Sequence, residues 1–247
     1  MKKFIAVLML GLSPVLAGAA GGGNVHLEPA NIDLTDNASL QRGARLFVNY
    51  CLSCHSAAYQ RYNRMGRDIG LDQELVEENL MFATDKVGDL MKVAVRREDA
   101  EKWFGKKVPD LSLVARSRGP DWLYTYLISF YVDPSRPWGV NNRVFKDVGM
   151  PHVLWELQGL YAPVYREGTG PDGKPVQKVV DYEMVKAGSM TEEEFQQAMR
   201  DLTNFLTYTA EPARLDRQRV GVWVLLFLAV FSVVAYLLKK EYWKDVH

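Results

Sequence analysis

Cys51-Leu52-Ser53-Cys54-His55 holds both cysteines of the 247-residue chain, and the architecture turns on what they do. Two thiols two residues apart, followed at once by a histidine, form the attachment pattern of a c-type haem: two thioethers clamp the ring edge while His55 turns its imidazole to the iron. The same spacing occurs in thiol-disulfide enzymes, but there the pair opens a helix after a strand in a βαβ unit. Here Leu40, Ala44, Phe47, Val48 and Cys51 recur at helical spacing behind the cap candidates Asn37 and Ser39, so the pair closes a helix instead. A closed zinc site would need ligands from His26, His152 and His247, which lie in scattered segments. One covalent haem is therefore expected on Cys51 and Cys54, with His55 as a metal ligand.

Outward from this motif, the two ends of the chain say where it resides. Residues 1–20 begin with Lys2 and Lys3, continue through an apolar run from Phe4 to Leu16 and end on the small residues Ala17-Gly18-Ala19. That is the order of a secretory signal peptide, and the run is too short to span a bilayer. Val220 to Leu238 carries no charge; at ~1.5 Å rise per residue it reaches ~28 Å, close to the thickness of a bilayer core. Trp223, Tyr236, Tyr242 and Trp243 near its rims suit the membrane interface. Lys and Arg near the span are balanced, with Arg214, Arg217 and Arg219 before it and Lys239, Lys240 and Lys244 after it. Orientation therefore rests on the signal peptide, which sends residues 21–213 outward and leaves 214–247 as a single-pass anchor with a short cytoplasmic tail. In a bacterium this is the inner membrane, with the main domain in the periplasm.

The 30 basic and 30 acidic residues cancel, which gives no net field for holding nucleic acid, so no nucleic-acid partner is expected. Within the exported region, periodicity predicts helices at 73–83, at 87–104 after a break at Gly88, and at 122–131. Residues 133–150 are rich in proline, glycine and asparagine and read as a long loop. Leu160 to Glu167 and Lys174 to Val185 flank a Gly-Thr-Gly-Pro-Asp-Gly run and read as a hairpin. Thr191 with Glu194 forms a capping box that opens a last helix, ending before Pro212.

An iron held by His55 needs a second axial ligand if it is to carry electrons, and methionine is the usual carrier choice. The candidates beyond the signal are Met65, Met81, Met91, Met150, Met184, Met190 and Met199. Met81, Met91 and Met199 fall on helical stretches and read as core. Met150, in Gly149-Met150-Pro151, sits in irregular backbone that can aim a thioether. Met190, in the loop before the last helix, and His152, otherwise a hydrogen-bonded surface residue, are the alternatives.

Taken together, Arg42-Gly43, Cys51 to His55, Pro109-Asp110-Leu111-Ser112, Arg116-Ser117-Arg118, Gly149-Met150-Pro151, Ala210-Glu211-Pro212 and the C-terminal span resemble the cytochrome c1 family. The resemblance implies a mainly α fold: a c-type cytochrome domain with insertions plus one C-terminal transmembrane helix, in which the helix of Gly43 and Phe47 crosses the last helix near Phe205 and Tyr208. It implies Met150 as the sixth ligand, Arg118 against a haem propionate, and the Pro109 carbonyl accepting from His55. It further implies an electron relay, working with cytochrome b and a Rieske iron-sulfur protein and delivering to a cytochrome c. The rival is a membrane-anchored cytochrome serving another terminal reductase or oxidase. Where the family often carries further proline after the ligand methionine, this chain has His152-Val153-Leu154.

Overall fold

The computed structural model of the chain describes residues 25–93, 95–169 and 174–245; the expected signal peptide lies outside them. Helix α1 (Asn37–Leu46) starts where the Asp36 carboxylate accepts from the Ser39 amide at 3.0 Å, so the cap is Asp36, one residue before the expected candidates. An Asp side chain satisfies one of the amides a first helical turn leaves unpaired. Its buried face, Leu40 and Ala44, with Phe47 just past its end, lies against the long helix α8 (Glu192–Ala210). The Phe47 and Phe205 rings are 5.7 Å apart. Gly43 makes the crossing close: a Cβ there would run into the Asp201 carbonyl oxygen and come 2.7 Å from the Phe205 Cβ.

Beside that contact, Asp201 binds across the interface. It accepts from Ser39 Oγ at 2.7 Å, from Arg42 Nε at 2.6 Å and Nη2 at 3.1 Å, and from Gln197 Nε2 at 3.1 Å. A carboxylate this buried is tolerable because its charge and its lone pairs are met. The capping box of α8 forms as expected: the Glu194 amide donates to Thr191 Oγ1 at 3.3 Å and the Thr191 amide to Glu194 Oε2 at 2.8 Å.

Between these helices run α2 (Tyr62–Asp68), α3 (Gln73–Leu80), α4 (Arg97–Phe104), α5 (Val114–Arg118), α6 (Pro120–Leu127) and the short α7 (Trp155–Gln158). The helix expected at 87–104 is instead strand β2 (Leu90–Met91) followed by α4. β2 pairs antiparallel with β1 (Ala57–Arg61), so Met91 is buried in a sheet contact and not on a helix. Likewise the 122–131 helix stops at Leu127, and β3 (Phe130–Val132) pairs with β4 (Val140–Asn142) inside the stretch read as loop. The third pair is the expected hairpin, β5 (Gly159–Thr169) against β6 (Pro175–Ala187); β5 runs beyond its sequence signal at both ends, and β6 starts one residue later and ends two residues later than its own. A mainly helical fold therefore holds coarsely, with 47% of residues in helices and 17% in strands. Finally α9 (Arg214–Tyr242) is long and apolar enough to cross a membrane, and no residue of it is buried within the chain.

Candidate functional site

At the end of α1 the backbone widens into one π turn, Phe47–Cys51, closed by the Leu52 amide donating to the Phe47 carbonyl at 2.9 Å. π turns cluster at functional positions because they re-aim the residues that follow. The chain then curls tightly: the amides of Cys54 and His55 both donate to the Cys51 carbonyl, at 3.0 and 2.7 Å. Both thiols are free; Cys51 is buried and Cys54 half-buried. Burial, with a smaller contribution from Cys54, pushes the Cys51 thiol up to about 12. Attack on a disulfide needs a thiolate, and burial disfavours that form at Cys51.

His55 Nδ1 lies 2.8 Å from the carbonyl oxygen of Pro109. A carbonyl can only accept, so the ring must carry its proton on Nδ1, which leaves the Nε2 lone pair available to a metal. Burial is the main influence lowering the His55 pKa, opposed by the Pro109 bond and by Asp110, and the neutral ring is the form that ligates. The Pro109 carbonyl is itself held in place by its neighbours. Asp110 accepts from the amides of Ala58 at 2.9 Å and Ser112 at 2.8 Å, Ser112 Oγ accepts from the Tyr59 amide at 3.1 Å, and the Leu111 amide donates to the Ser56 carbonyl at 2.8 Å. Pro109 to Ser112 is thus stitched along the strand that follows the cysteine motif.

Met150 belongs to a second small cluster with Phe130, Val140 and Val148. The Tyr126 hydroxyl donates to its sulfur at 3.4 Å. Burial raises the Tyr126 pKa, which keeps the phenol protonated as a donor. Tyr126 stacks on Trp122 at 5.2 Å, and the Arg118 guanidinium lies 5.0 Å above the same indole and 5.9 Å from the Phe145 ring. Arg118 is exposed and makes no ion pair among the described residues. A continuous contact path therefore runs from Arg118 through Trp122 and Tyr126 to Met150.

Sequence reasoning missed what fixes the Met150 loop. Asn141 and Asn142 read as turn formers, yet both side chains are buried. Asn141 Oδ1 accepts from the amides of Asn142 and Asp147, each at 2.9 Å. Asn142 Oδ1 accepts from Val144 and Phe145, at 2.9 and 3.1 Å, while its amide donates to the Tyr126 carbonyl at 2.8 Å. These bonds replace regular secondary structure, which is how an irregular loop can be rigid. An Asn-Asn pair in a low-regularity stretch was the available signal. His152 is a correction: it is 7% exposed and stacks on Phe130 at 4.7 Å, 4° from parallel, instead of lying on the surface. Gln158 and Gly159 adjoin the ring, but neither nitrogen has a partner in bonding geometry, and burial pushes its pKa down to about 4. Met190, the other alternative, packs against the main core.

Residues 30–246 match the Cytochrome C1 family. The chain belongs to the cytochrome c1 family. It is 53% identical to cytochrome c1 of Allochromatium vinosum over the whole of both chains. It is 45% identical to a Nitrosomonas europaea protein named ammonia monooxygenase gamma subunit, covering 100% of this chain and 99% of that one. With cytochrome c1 of Rhodospirillum rubrum the identity is 26%, over 98% and 97% of the two chains. Membership makes this a haem-binding electron-transport protein with a covalently attached c-type haem. The residues fit that cofactor. A cytochrome c1 chain needs two free thiols, an imidazole with its outer nitrogen unengaged and a placed thioether, and here Cys51, Cys54, His55 and Met150 present that donor set.

Proposed function

We propose that this chain is the electron-relay subunit of a quinol:cytochrome c oxidoreductase, taking an electron from a Rieske iron-sulfur protein beside cytochrome b and passing it to a cytochrome c. The observation that carries the reading is the His55 tautomer set by Pro109 directly after the paired thiols. In this proposal Cys51 and Cys54 would hold a single haem by thioethers, His55 Nε2 and Met150 Sδ would ligate its iron, and Arg118 would pair with a propionate. Guanidinium suits a carboxylate because it stays charged and offers paired donors. Bound haem supplies a one-electron couple. Pro109 sets the tautomer and tilt of His55, and Tyr126 orients the Met150 sulfur. Residues 21–213 then form a periplasmic domain after removal of 1–20, and 214–247 supply the inner-membrane anchor and cytoplasmic tail. The 53% identical cytochrome c1 and the family match support this reading.

The relative named ammonia monooxygenase gamma subunit favours a second reading, in which such a chain serves another membrane oxidase or reductase. Affinity purification from detergent-solubilised membranes separates the two. Recovery with a b-type haem subunit and a Rieske protein, and reduction of the covalent haem by quinol, is the expected result. Recovery with a copper or non-haem iron enzyme, without a Rieske protein, would overturn it.

A further inference from the structure

The segment before Pro109 touches both halves of the site. Pro109 meets His55, Phe104 packs on Trp138 at 5.9 Å, and Lys106 lies over the Met150 loop, with its Cδ 2.9 Å and its Nζ 3.3 Å from where a Gly149 Cβ would sit. Residues 104–109 therefore touch both ligand-bearing segments, one through the Pro109 carbonyl and the other through the Lys106 side chain. The charge of this region differs from that of the rest of the exported chain. From Gly105 to Met150 the sequence has seven basic and four acidic residues, whereas the remainder of residues 25–213 has fifteen basic and twenty-three acidic.

The four acids are all engaged. Asp110 accepts two backbone amides, Asp121 accepts from the Ala30 amide at 2.8 Å, Asp133 accepts from Ser135 and Asn141, and Asp147 pairs with Arg136 at 3.1 Å. Lys106, Arg143 and Lys146 are exposed and make no ion pair among the described residues, and Lys107 reaches only Glu101, at 4.0 Å. Two exposed indoles stand nearby, Trp138 at 42% within this stretch and Trp103 at 63% just before it, on α4 beside the exposed Glu98 and Glu101. Exposed aromatics bordered by uncompensated cations match an interface with an apolar centre and a steering rim.

We propose that this face is the docking site for the electron acceptor, and that the acceptor is a soluble redox protein with an acidic surface around its redox centre. The inference rests on the electron-relay reading and adds the acceptor's charge class. A basic carrier would meet Lys106, Lys107 and Lys146 as like charges, which slows encounter and disfavours the complex; an acidic one is steered in, with on-rates raised ~10-fold or more at low salt. The acidic first turn of α8, Glu192 to Glu194, does not compete for this role: its Glu194 is used in the capping box, and acids there complement the helix dipole.

The test uses the detergent-solubilised assembly with its haem, reduced chemically by ascorbate so that quinol chemistry is bypassed, and two probes: one acidic and one basic soluble cytochrome c. Binding affinity by biolayer interferometry and electron-transfer rate by stopped flow are read from low to high ionic strength. The expected result is tighter binding and ~10-fold faster transfer to the acidic probe at low salt, lost as salt screens the charges. Lys107→Glu with Lys146→Glu, which avoids the Lys106 side chain packed on Gly149, should reverse the preference while leaving the haem spectrum unchanged. A preference for the basic probe, or the same preference in the double variant, overturns the proposal. Failure of quinol to reduce the haem in the same preparation counts instead against the electron-relay reading, since the ascorbate-driven experiment does not depend on it.

Discussion

Replacing Gly43 by alanine should destabilise the protein, although in an open helix the same change would help by ~1 kcal/mol. The structure sets the sign. A Cβ at Gly43 would run into the Asp201 carbonyl oxygen and lie 2.7 Å from the Phe205 Cβ and 2.8 Å from the Asp201 carbonyl carbon, against the ~3.5–4.0 Å that carbon atoms prefer. Helices α1 and α8 must part by roughly 1 Å, and overpacking of this kind costs ~1–3 kcal/mol. Parting also lengthens the Arg42 and Ser39 bonds to Asp201, and weakening charge-assisted bonds to a buried carboxylate adds ~1–2 kcal/mol. Against the propensity gain the net loss is about 1–4 kcal/mol, a fall in Tm of about 2–16 °C for a domain of this size. The assay is far-ultraviolet circular dichroism of haem-loaded, detergent-solubilised protein at one fixed scan rate. Gly88→Ala is the control, since nothing lies within 4 Å of a Cβ there. If Gly43→Ala melts with or above the parent, the close crossing is not what holds α1 on α8.

Met150→Leu keeps side-chain volume, so the domain should fold and stain for haem, but with a lowered potential and carbon monoxide binding to the reduced iron; difference spectra and redox titration check this. Tyr126→Phe keeps the stack on Trp122 while removing the donor to the Met150 sulfur, so carbon monoxide should stay excluded and the potential should fall modestly in the same titration. Ending the chain at Ala213 removes α9, which buries no residue against the rest, and should release a soluble haem domain whose Tm lies within about 3 °C of the parent's by calorimetry.

Where local chemistry alone determines structure, the sequence was readable. The Thr191–Glu194 capping box, the hairpin around the Gly-Thr-Gly-Pro-Asp-Gly run and the apolar C-terminal helix each depend on residues close in sequence. Misreadings cluster where a distant segment decides. Leu90–Met91 became a strand because Ala57–Arg61 was there to pair with it, and no periodicity inside 87–104 carries that information. Val140–Asn142 is a different case: its partner Phe130–Val132 is near in sequence, but the proline, glycine and asparagine around it carry no strand signal. The π turn at Phe47–Cys51 left no trace in the pattern of apolar residues, since one inserted residue barely changes which face is buried.

The two halves of the candidate site differ in legibility for the same reason. Cys51, Cys54 and His55 are neighbours, so their chemistry is written in five residues, and the structure adds the Pro109 carbonyl that selects the tautomer. Met150 was one of seven methionines beyond the expected signal, and helical spacing could only remove rivals, in the case of Met91 on a mistaken element. What distinguishes Met150 is tertiary: its sulfur accepts from Tyr126, it packs with Phe130, Val140 and Val148 apart from the main core, and the buried amides of Asn141 and Asn142 fix its loop. His152 completes that support by stacking on Phe130, in a place where the family often carries further proline. Phe130 belongs to the cluster that packs on Met150, so the stacked ring ties the outgoing chain to that cluster by a contact that proline would make differently, while the Met150 sulfur accepts from Tyr126.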